Sequence, residues 1–397
     1  MLLQGKCVVL GVTGGIAAYK AADLASRLIK HGAEVHVIMT KAACRFITPL
    51  TLQTISRQRV ITDMFQEPVS CEVQHIALAD KADLMAVVPA TANIIGKVAN
   101  GIADDMLSTT LMATKAPVVF APAMNVHMYE NPIVQGNINK LKQLGYYFIE
   151  PATGRLACGY EGKGRLPDVE YIMDKLIYLL VGIKDFAGKK VLVTAGGTRE
   201  AIDPVRFISN RSTGKMGYAI AEAARDRGAE VTLISGPTTL DAPMDVRKIE
   251  VESADEMFEA VKQEYLQADV VIKAAAVADY RPVAVTRQKI KKGPDSISLE
   301  LTRNPDILEF LGQNKGDRIL VGFAAETESL MENAQKKLKK KNLDLIVAND
   351  LTLEGAGFGV DTNVVKLVFA DGRVIPLEKM PKRQVADIIL DTILTLK

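Results

Sequence analysis

Short apolar runs alternate with longer amphipathic stretches along most of the chain, and this pattern predicts strands and helices in turn. The first apolar run, residues 1–12, is interpreted as a buried strand. It leads into a glycine turn, a helix pattern and a second apolar run at residues 31–39, and the same succession returns at residues 188–198 and 227–235. Strands that alternate with helices form parallel sheets covered on both faces. We therefore predict an α/β protein with two doubly wound parallel-sheet (Rossmann-like) domains.

The repeated pattern also predicts where the chain divides. A length of 397 residues suits two domains, and we expect them at residues 1–185 and 186–397. The second glycine turn is followed by an insertion of about 14 residues that the first copy lacks. This insertion, roughly residues 199–213, carries the polar side chains Asp203, Arg206, Asn210 and Arg211. Because ligands of such sheets bind in the loops beyond the carboxyl ends of the strands, the two halves should share a scaffold and differ in chemistry.

Composition excludes several classes of protein. The 49 Lys and Arg residues nearly balance the 47 Asp and Glu residues, so no overall field attracts nucleic acid or an anionic membrane. No apolar run approaches the roughly 20 residues that span a bilayer. The 4 Cys and 4 His residues have no spacing typical of a disulfide framework or a zinc site. We expect a cytoplasmic protein that binds small molecules, with any phosphate site confined to a local pocket.

The glycine pairs Gly14-Gly15 and Gly196-Gly197 each stand between a predicted strand and a helix pattern. Glycine lets a ligand approach the backbone, and the N-terminus of the following helix offers N–H groups to a phosphate. Each pair alone is equally consistent with a tight structural turn. Since two copies occur at matching places, we favour phosphate binding at both.

Four further features in the first half carry candidate chemistry. Residues 89–93 form a small polar loop after a strand, which alone is most simply an ordinary turn. His75 is a candidate general base, because histidine is the side chain that most often takes this role, although a lone histidine is more often structural. Asn125 could hold a carboxylate by hydrogen bonds. Cys158 lies among three glycines in residues 156–165, and that glycine-rich loop favours an accessible, reactive cysteine over an incidental one.

The order of these motifs resembles two known families. The first half is similar to the flavin-containing cysteine decarboxylases, through His75 and residues 89–93, 122–129 and 158–165. The second half is similar to phosphopantothenate–cysteine ligase, through Asn210, Lys289 and residues 194–198, 212–217, 274–282, 304–306 and 322–326. The whole chain therefore resembles the fused bacterial coenzyme A biosynthesis enzymes that carry both activities.

For the first half, the resemblance implies FMN as the electron sink for loss of CO₂. It makes His75 the base of the oxidative step, Asn125 the group that holds the carboxylate, and Cys158 the proton donor of the final reduction. The chain departs from the family pattern at Tyr129, where the family has Trp, and at Thr91 and Ile94, where the family has Ser and Thr; Ile94 cannot form a hydrogen bond to the flavin. The residues expected to bind FMN are Gly14, Gly15, Thr40, Pro89, Ala90, Thr91, Asn93 and Ala123.

For the second half, the resemblance implies that CTP activates the carboxylate of 4′-phosphopantothenate as an acyl-cytidylate, which cysteine then attacks. Lys289 would stabilise charge on the triphosphate, and Asn210 would position the acyl-cytidylate. Asp279 would hold the nucleotide or its Mg²⁺. The residues expected to bind CTP are Gly196, Gly197, Lys273, Ala274, Ala275, Asp279, Lys289, Pro305, Asp306, Ile307, Leu308, Phe323, Lys337 and Lys341.

The resemblance also implies homo-oligomers, with trimers of the flavin domain and dimers of the ligase domain. Two other functions predict different residues. A non-catalytic flavin-binding regulator predicts loss of the base or of the cysteine, yet His75, Asn125 and Cys158 are all present. A nicotinamide-dependent oxidoreductase predicts a fuller glycine fingerprint and an acidic residue at the end of the second strand, where this chain has Met39 and Thr40.

Overall fold

The computed structural model describes residues 2–65, 73–155, 161–181, 184–291, 297–326, 330–350 and 359–396, together with Gly355 and Gly357. The chain folds as two compact units, Met1–Gly182 and Ile183–Lys397. No helix of the described part is long and apolar enough to cross a membrane.

The first unit is built on a five-stranded parallel sheet in the order β2-β1-β3-β4-β5. Its central strands are covered on both faces, and every residue of β1 and β3 is buried. Such strands must be apolar throughout, which is why they read as continuous apolar runs in the sequence. The strands are β1 (Cys7–Val12), β2 (Glu34–Met39), β3 (Leu84–Ala90), β4 (Val118–Pro122), β5 (Tyr147–Phe148), β6 (Ala152–Arg155) and β7 (Glu161–Arg165).

Helices cover both faces of this sheet, and two separate groups of buried side chains lie between the layers. Several helices begin with a side chain that accepts a backbone N–H, as Asp105 does for α5. The helices are α1 (Lys20–Lys30), α2 (Pro49–Ser56), α3 (Gln74–Lys81), α4 (Ala92–Ala99), α5 (Met106–Ala113), α6 (Val126–Glu130), α7 (Pro132–Gln143) and α8 (Val169–Leu180).

The second unit has an eight-stranded sheet in the order β12-β11-β8-β13-β16-β17-β19-β20. Six strands are parallel, whereas β19 and β20 add to one edge in antiparallel orientation. The strands are β8 (Lys190–Ala195), β9 (Arg199–Ala201), β10 (Phe207–Ser209), β11 (Glu230–Ser235), β12 (Arg247–Glu250), β13 (Val270–Lys273), β14 (Tyr280–Pro282), β15 (Leu301–Arg303), β16 (Ile319–Glu326), β17 (Leu345–Asp350), β18 (Thr362–Asn363), β19 (Val365–Phe369), β20 (Val374–Pro376) and β21 (Met380–Pro381).

Helices again cover both faces, and the buried side chains form one core on each side of the sheet. Helix α9 begins after Gly214, whose φ of +80° lies in the left-handed region that glycine adopts without strain. The helices are α9 (Lys215–Asp226), α10 (Ala254–Glu264), α11 (Ile307–Gln313), α12 (Leu330–Lys340) and α13 (Lys382–Leu394).

The prediction of an α/β protein with two doubly wound parallel-sheet domains is confirmed, with three differences of detail. The first strand begins at Cys7 rather than at the first residue, because residues 2–5 form a turn. The antiparallel edge of the second sheet was not predicted. The insertion after the second glycine turn is a short antiparallel hairpin of β9 and β10.

Candidate active sites

The first unit contains a cavity of about 1060 Å³ at the carboxyl ends of its strands. It lies where the strand order reverses, since β2 and β3 flank β1 on opposite sides, and this is the usual ligand position in such sheets. Six of the eight residues predicted to bind FMN lie in its wall: Gly14, Gly15, Thr40, Thr91, Asn93 and Ala123.

Thr13 joins the two loops that flank this reversal. Its hydroxyl donates to the carbonyl oxygen of Pro89 at 2.7 Å and accepts from the backbone N–H of Thr91 at 3.1 Å. Thr13 is only 2% exposed, so both hydrogen bonds are shielded from water. The contact fixes the small polar loop against the glycine turn. Pro89 and Ala90 are buried at the end of β3 and do not belong to the cavity wall.

Asn125 lies in the cavity wall at the start of α6, and its side-chain oxygen accepts from the N–H of His127 at 2.9 Å. This cap fixes the orientation of the amide. The preceding N–H, that of Met124, donates to the carbonyl oxygen of Gly164 at 3.0 Å. Only glycine fits at position 164, because a Cβ there would lie 2.4 Å from the oxygen of Met124. Strand β7 is thereby held beside the predicted carboxylate site.

The other residues named in the prediction of the first site differ in their position relative to the cavity. His75 is half-buried in α3 and is not part of the wall of the cavity as far as the described residues define it. Cys158 lies outside the described residues. Tyr129 is buried and donates its hydroxyl hydrogen to Glu150 at 3.1 Å. Ile94 is 1% exposed and contributes an apolar part of the cavity wall.

Several residues of the cavity wall were not predicted from the sequence. Thr13 could have been predicted as a site residue, because it directly follows a buried strand. Met124 and Met128 also lie in the wall. Lys97 pairs with Asp104 at 2.6 Å and Asp105 at 2.8 Å. Nothing in the sequence marked this group, because it joins a helix to the loop that follows it.

Cys7, Glu34 and His36 approach one another at the opposite end of the first sheet, close enough for their ligand atoms to share a metal ion. One oxygen of Glu34 instead accepts from Lys81 at 2.6 Å and contacts His36 at 2.9 Å. Burial, together with nearby charges, raises the pKa of the Cys7 thiol to about 11. A lysine cation and a protonated thiol both disfavour a metal ion, so we interpret the group as structural.

In the second unit, Asn210 lies against the loop that follows β13. Its side-chain amide donates to the carbonyl oxygens of Ala276 at 3.1 Å and Val277 at 3.2 Å. The N–H of Ala276 donates to the carbonyl oxygen of Gly196 at 2.8 Å, and Gly197 forms a bridge to the same residue. The predicted glycine turn, Asn210 and the predicted nucleotide loop therefore meet at one place.

A group of charged residues lies beside the end of β13. Burial, together with the nearby Lys337 ammonium, lowers the pKa of Lys273 to about 8 against the opposing effect of Asp306 and Asp279. All four residues were predicted to bind nucleotide or its metal ion. The structure brings them within electrostatic range of one another, and a triphosphate would be attracted by the two lysines.

Lys341 is a buried lysine that forms ion pairs with two carboxylates. It is 7% exposed, and its ammonium pairs with the carboxylates of Asp306 and, at 2.8 Å, Glu309. Burial of the ammonium opposes its charge, but the hydrogen bonds to Asp306 and Glu309 raise the pKa of Lys341.

The remaining residues predicted to bind CTP differ in exposure. Lys289 and Asp279 are exposed, whereas Phe323 is half-buried. Ala274 and Ala275 follow β13. Pro305 lies two residues before α11, and the first two residues of that helix, Ile307 and Leu308, are packed into the core.

A second depression in this unit, of about 710 Å³, was not foreseen. It includes Arg199, Ser212, Thr213, Gly236 and Lys248 and none of the residues predicted to hold the nucleotide.

Comparison with known proteins finds a matching family for each unit. Residues 2–181 match the family described as flavoprotein, and residues 186–396 match the family described as DNA/pantothenate metabolism flavoprotein C-terminal domain. The chain is 55% identical over 404 residues to the coenzyme A biosynthesis bifunctional protein CoaBC of Bacillus subtilis, covering 100% of this chain and 98% of that protein. The chain belongs to the family of bifunctional coenzyme A biosynthesis proteins.

A relative from a second bacterium agrees with this membership. The Escherichia coli protein of the same name is 44% identical over 400 residues, with 100% of this chain and 98% of that protein covered. A crystal structure of the C-terminal domain of a CoaBC protein is 50% identical, covers 53% of this chain and 96% of that one, and superposes with a TM-score of 0.46.

Family membership confirms the predicted resemblance and the predicted pair of activities. The chain is a bifunctional enzyme of coenzyme A biosynthesis with a flavoprotein decarboxylase and a ligase activity. The alternatives of a regulator without catalysis and of a nicotinamide-dependent oxidoreductase are thereby set aside.

Proposed function

We propose that residues 1–185 form an FMN-dependent decarboxylase that acts on 4′-phosphopantothenoylcysteine. The observation that carries the proposal is the cavity of about 1060 Å³ with six predicted flavin residues in its wall. Its volume suits a flavin together with part of a substrate, since sites for small ligands measure roughly 300–1000 Å³. Gly15 at the start of a helical turn offers backbone N–H groups to the FMN phosphate.

Loss of CO₂ from the carboxylate of the cysteine moiety needs a temporary acceptor for two electrons, and bound FMN would supply it. The task of the protein is to hold the carboxylate, to remove a proton and later to return one. Asn125 would bind the carboxylate through its Nδ2 hydrogens, because its Oδ1 already caps α6. We assign His75 as the base and Cys158 as the proton donor. These two roles rest on the resemblance.

The test of this half begins with the visible flavin absorption of the purified protein and with CO₂ release from 4′-phosphopantothenoylcysteine. The variant Cys158→Ser should still release CO₂ and accumulate the oxidised enethiol, because only the final reduction loses its proton donor. Cys44→Ser is the matched control and should form normal product. Normal product from Cys158→Ser would refute the assigned role.

We infer that residues 186–397 form a CTP-dependent ligase that joins cysteine to 4′-phosphopantothenate. A carboxylate resists attack by an amine, so its oxygen would first attack the α-phosphate of CTP, which forms the acyl-cytidylate as the bond to pyrophosphate breaks. The observation that supports this site is the convergence of Asn210, the glycine turn and the loop after β13. Lys273 and Lys337 beside that loop would attract the triphosphate.

Two variants separate the two steps of ligation. Lys289→Ala should slow pyrophosphate release by roughly 100- to 1000-fold and leave a measurable residual rate, because Lys289 would stabilise the charge that develops on the triphosphate. Asn210→Ala should still release pyrophosphate but make little product, because Asn210 would position the acyl-cytidylate for attack. Equal loss of both steps in both variants would contradict this division.

Mg²⁺ is proposed to accompany CTP, with Asp279 as a protein ligand. Among the described residues, no group of three or more His, Cys, Asp or Glu side chains surrounds Asp279. This fits an ion held mainly by phosphate oxygens and water, as Mg²⁺ commonly is. Asp279→Asn should raise the Mg²⁺ concentration needed for half-maximal ligation, whereas Asp317→Asn, at an exposed position, should not.

In this proposal the two reactions are consecutive. Ligation makes 4′-phosphopantothenoylcysteine, and decarboxylation converts it to 4′-phosphopantetheine. We further propose a cytoplasmic homo-oligomer with trimers of the flavin domain and dimers of the ligase domain. Analytical ultracentrifugation of the full chain would test the oligomer, and a monomer at working concentration would contradict it.

A further inference from the structure

The segment that carries Lys289 is hydrogen-bonded to the insertion that carries Asn210. On one side of Lys289, both the backbone N–H and the hydroxyl of Thr286 donate to the carbonyl oxygen of Ile202, at 3.1 and 3.2 Å. On the other side, the guanidinium of Arg206 donates to the carbonyl oxygen of Ile290. The exposed Lys289 is therefore held between two anchored residues.

The buried carboxylate of Asp203 forms a further link between the insertion and the segment that carries Lys289. One carboxylate oxygen accepts the N–H groups of Val205 at 2.8 Å and Arg206 at 2.9 Å, which closes a tight turn in the insertion. The other oxygen accepts the N–H of Ile290 at 3.1 Å. The residue is 3% exposed and its side chain is fully covered. Burial opposes ionisation, but the three N–H groups outweigh it and lower the pKa of Asp203.

We propose that Asp203 is a positioning residue for the ligase reaction, which sets the place of Lys289 through the N–H of Ile290. The inference rests on the role proposed above for Lys289. The plain alternative is that Asp203 serves only its own turn, as buried Asp residues often do. The second oxygen distinguishes the two, because besides contacting the Arg206 guanidinium at 3.4 Å it accepts the N–H of Ile290, a residue 87 positions away that lies outside the turn.

A carboxylate is required for this double function. It accepts hydrogen bonds at both oxygens, whereas an amide accepts at one atom and donates at the other. In Asp203→Asn the amide oxygen can keep the turn, but its NH₂ group would face the N–H of Ile290. Two donors repel each other, so the segment carrying Lys289 would shift. A displacement of about 1 Å of a catalytic group can cost roughly 100-fold in rate.

The test uses the full-length protein and measures pyrophosphate release with CTP and 4′-phosphopantothenate. Asp203→Asn should lower kcat about 100-fold with a much smaller change in the KM for CTP, since the group that acts on the reacting phosphates is displaced. Decarboxylation by the same preparation should be unchanged. Asp317→Asn is the matched control and should retain the wild-type rate. An unchanged kcat in Asp203→Asn would overturn the proposal.

A double-mutant cycle separates the inference from the proposed role of Lys289. If Asp203 acts through Lys289, then Asp203→Asn should slow a Lys289→Ala protein by less than about 3-fold. Equal effects in both backgrounds would overturn the inference and leave the role of Lys289 standing. A Lys289→Ala protein with the wild-type rate would instead contradict the proposed role itself.

Hydrogen exchange gives a measurement that does not depend on residual activity. The backbone amide of Ile290 should exchange faster in Asp203→Asn than in Asp317→Asn, because it loses its acceptor. The far end of the segment, where Thr286 binds Ile202, should remain protected. Unchanged exchange at Ile290, or general loss of protection throughout the second unit, would contradict a specific link.

Discussion

The ammonium of Lys341 is paired with the carboxylate of Asp306, although the sequence predicted both as groups that bind CTP. Asp306 also caps α11 by accepting the N–H of Glu309 at 2.9 Å. Lys341 directly follows α12, so the pair links the end of one helix to the beginning of another. An ammonium already held by two carboxylates is a weaker partner for a triphosphate than one that faces it.

This arrangement predicts different roles for Lys341 and Lys337, both of which were predicted from the sequence to bind CTP. Lys341→Ala should lower the free energy of unfolding of the second unit by about 1–2 kcal/mol, because Asp306 and Glu309 lose their shared cation. Lys337→Ala should raise the KM for CTP with little change in stability. Thermal unfolding and ligation kinetics would measure both, with the exposed Lys339→Ala as control. A larger effect of Lys341→Ala on KM than on stability would contradict the separation.

The pKa of Lys273 predicts a pH dependence of nucleotide affinity. Below a pKa of about 8 the side chain is an ammonium, and above it the charge is lost. The KM for CTP should therefore rise as the pH increases through 8. A bound triphosphate favours the ammonium, so the rise should be displaced upward in the complex. In Lys273→Met the KM should be higher at pH 7 and should depend less on pH.

A KM profile that is the same in wild-type protein and in Lys273→Met would show that the side chain does not interact with the nucleotide.

The two buried hydrogen bonds of Thr13 predict that its hydroxyl contributes to flavin binding. Thr13→Val removes a buried hydroxyl that joins Pro89 to Thr91 and leaves both backbone groups without this partner. The cost of about 1–3 kcal/mol should loosen the loop and weaken FMN binding by roughly 10-fold or more. Flavin fluorescence titration of the apoprotein would measure it.

Thr110→Val provides the control for this substitution. Thr110 is also fully buried, but its hydroxyl donates within α5 to Met106. Its replacement should leave FMN affinity unchanged. Equal weakening in the two variants would indicate a general effect on the core rather than a role of the loop.

A negative charge at position 125 should impair decarboxylation while the cap of α6 is kept. In Asn125→Asp a carboxylate oxygen can still accept the N–H of His127, but the second oxygen repels the substrate carboxylate. Decarboxylation should fall at least 10-fold while bound flavin and the unfolding temperature are retained. The control is Asn131→Asp, at an exposed position where the side chain caps α7 in the same way. Normal decarboxylation by Asn125→Asp would contradict the assigned contact.

The fold could be predicted largely from local pattern. Buried parallel strands such as β1 and β3 must be apolar on both faces, so they stand out as continuous runs. The antiparallel edge of the second sheet was not predicted because β20 is short and all three of its residues are exposed, without an alternating pattern. Its place depends on pairing with β19, which the sequence does not reveal.

The sites could be predicted only in part. Gly14, Thr91, Asn93 and Asn125 follow strands, and the rule that ligands bind beyond strand ends is enough to group them. Thr13 and Asp203 act through hydrogen bonds to residues 76 to 87 positions away. Such contacts leave no periodic signal. The ion pairs of Lys341 with Asp306 and Glu309 could not be predicted for the same reason, because they join residues 35 and 32 positions apart.

The sequence by itself determined the two α/β units, the strand ends at which ligands bind, and the family to which the chain belongs. These follow from periodicity and from motifs that are local in the chain. The tertiary structure decided which polar side chains meet: it joined Thr13 to Pro89, paired Lys341 with Asp306, and bound Asp203 to Ile290. The physical reason is that a hydrogen bond or an ion pair depends on distances of a few ångströms in space, which only the packing of distant segments sets.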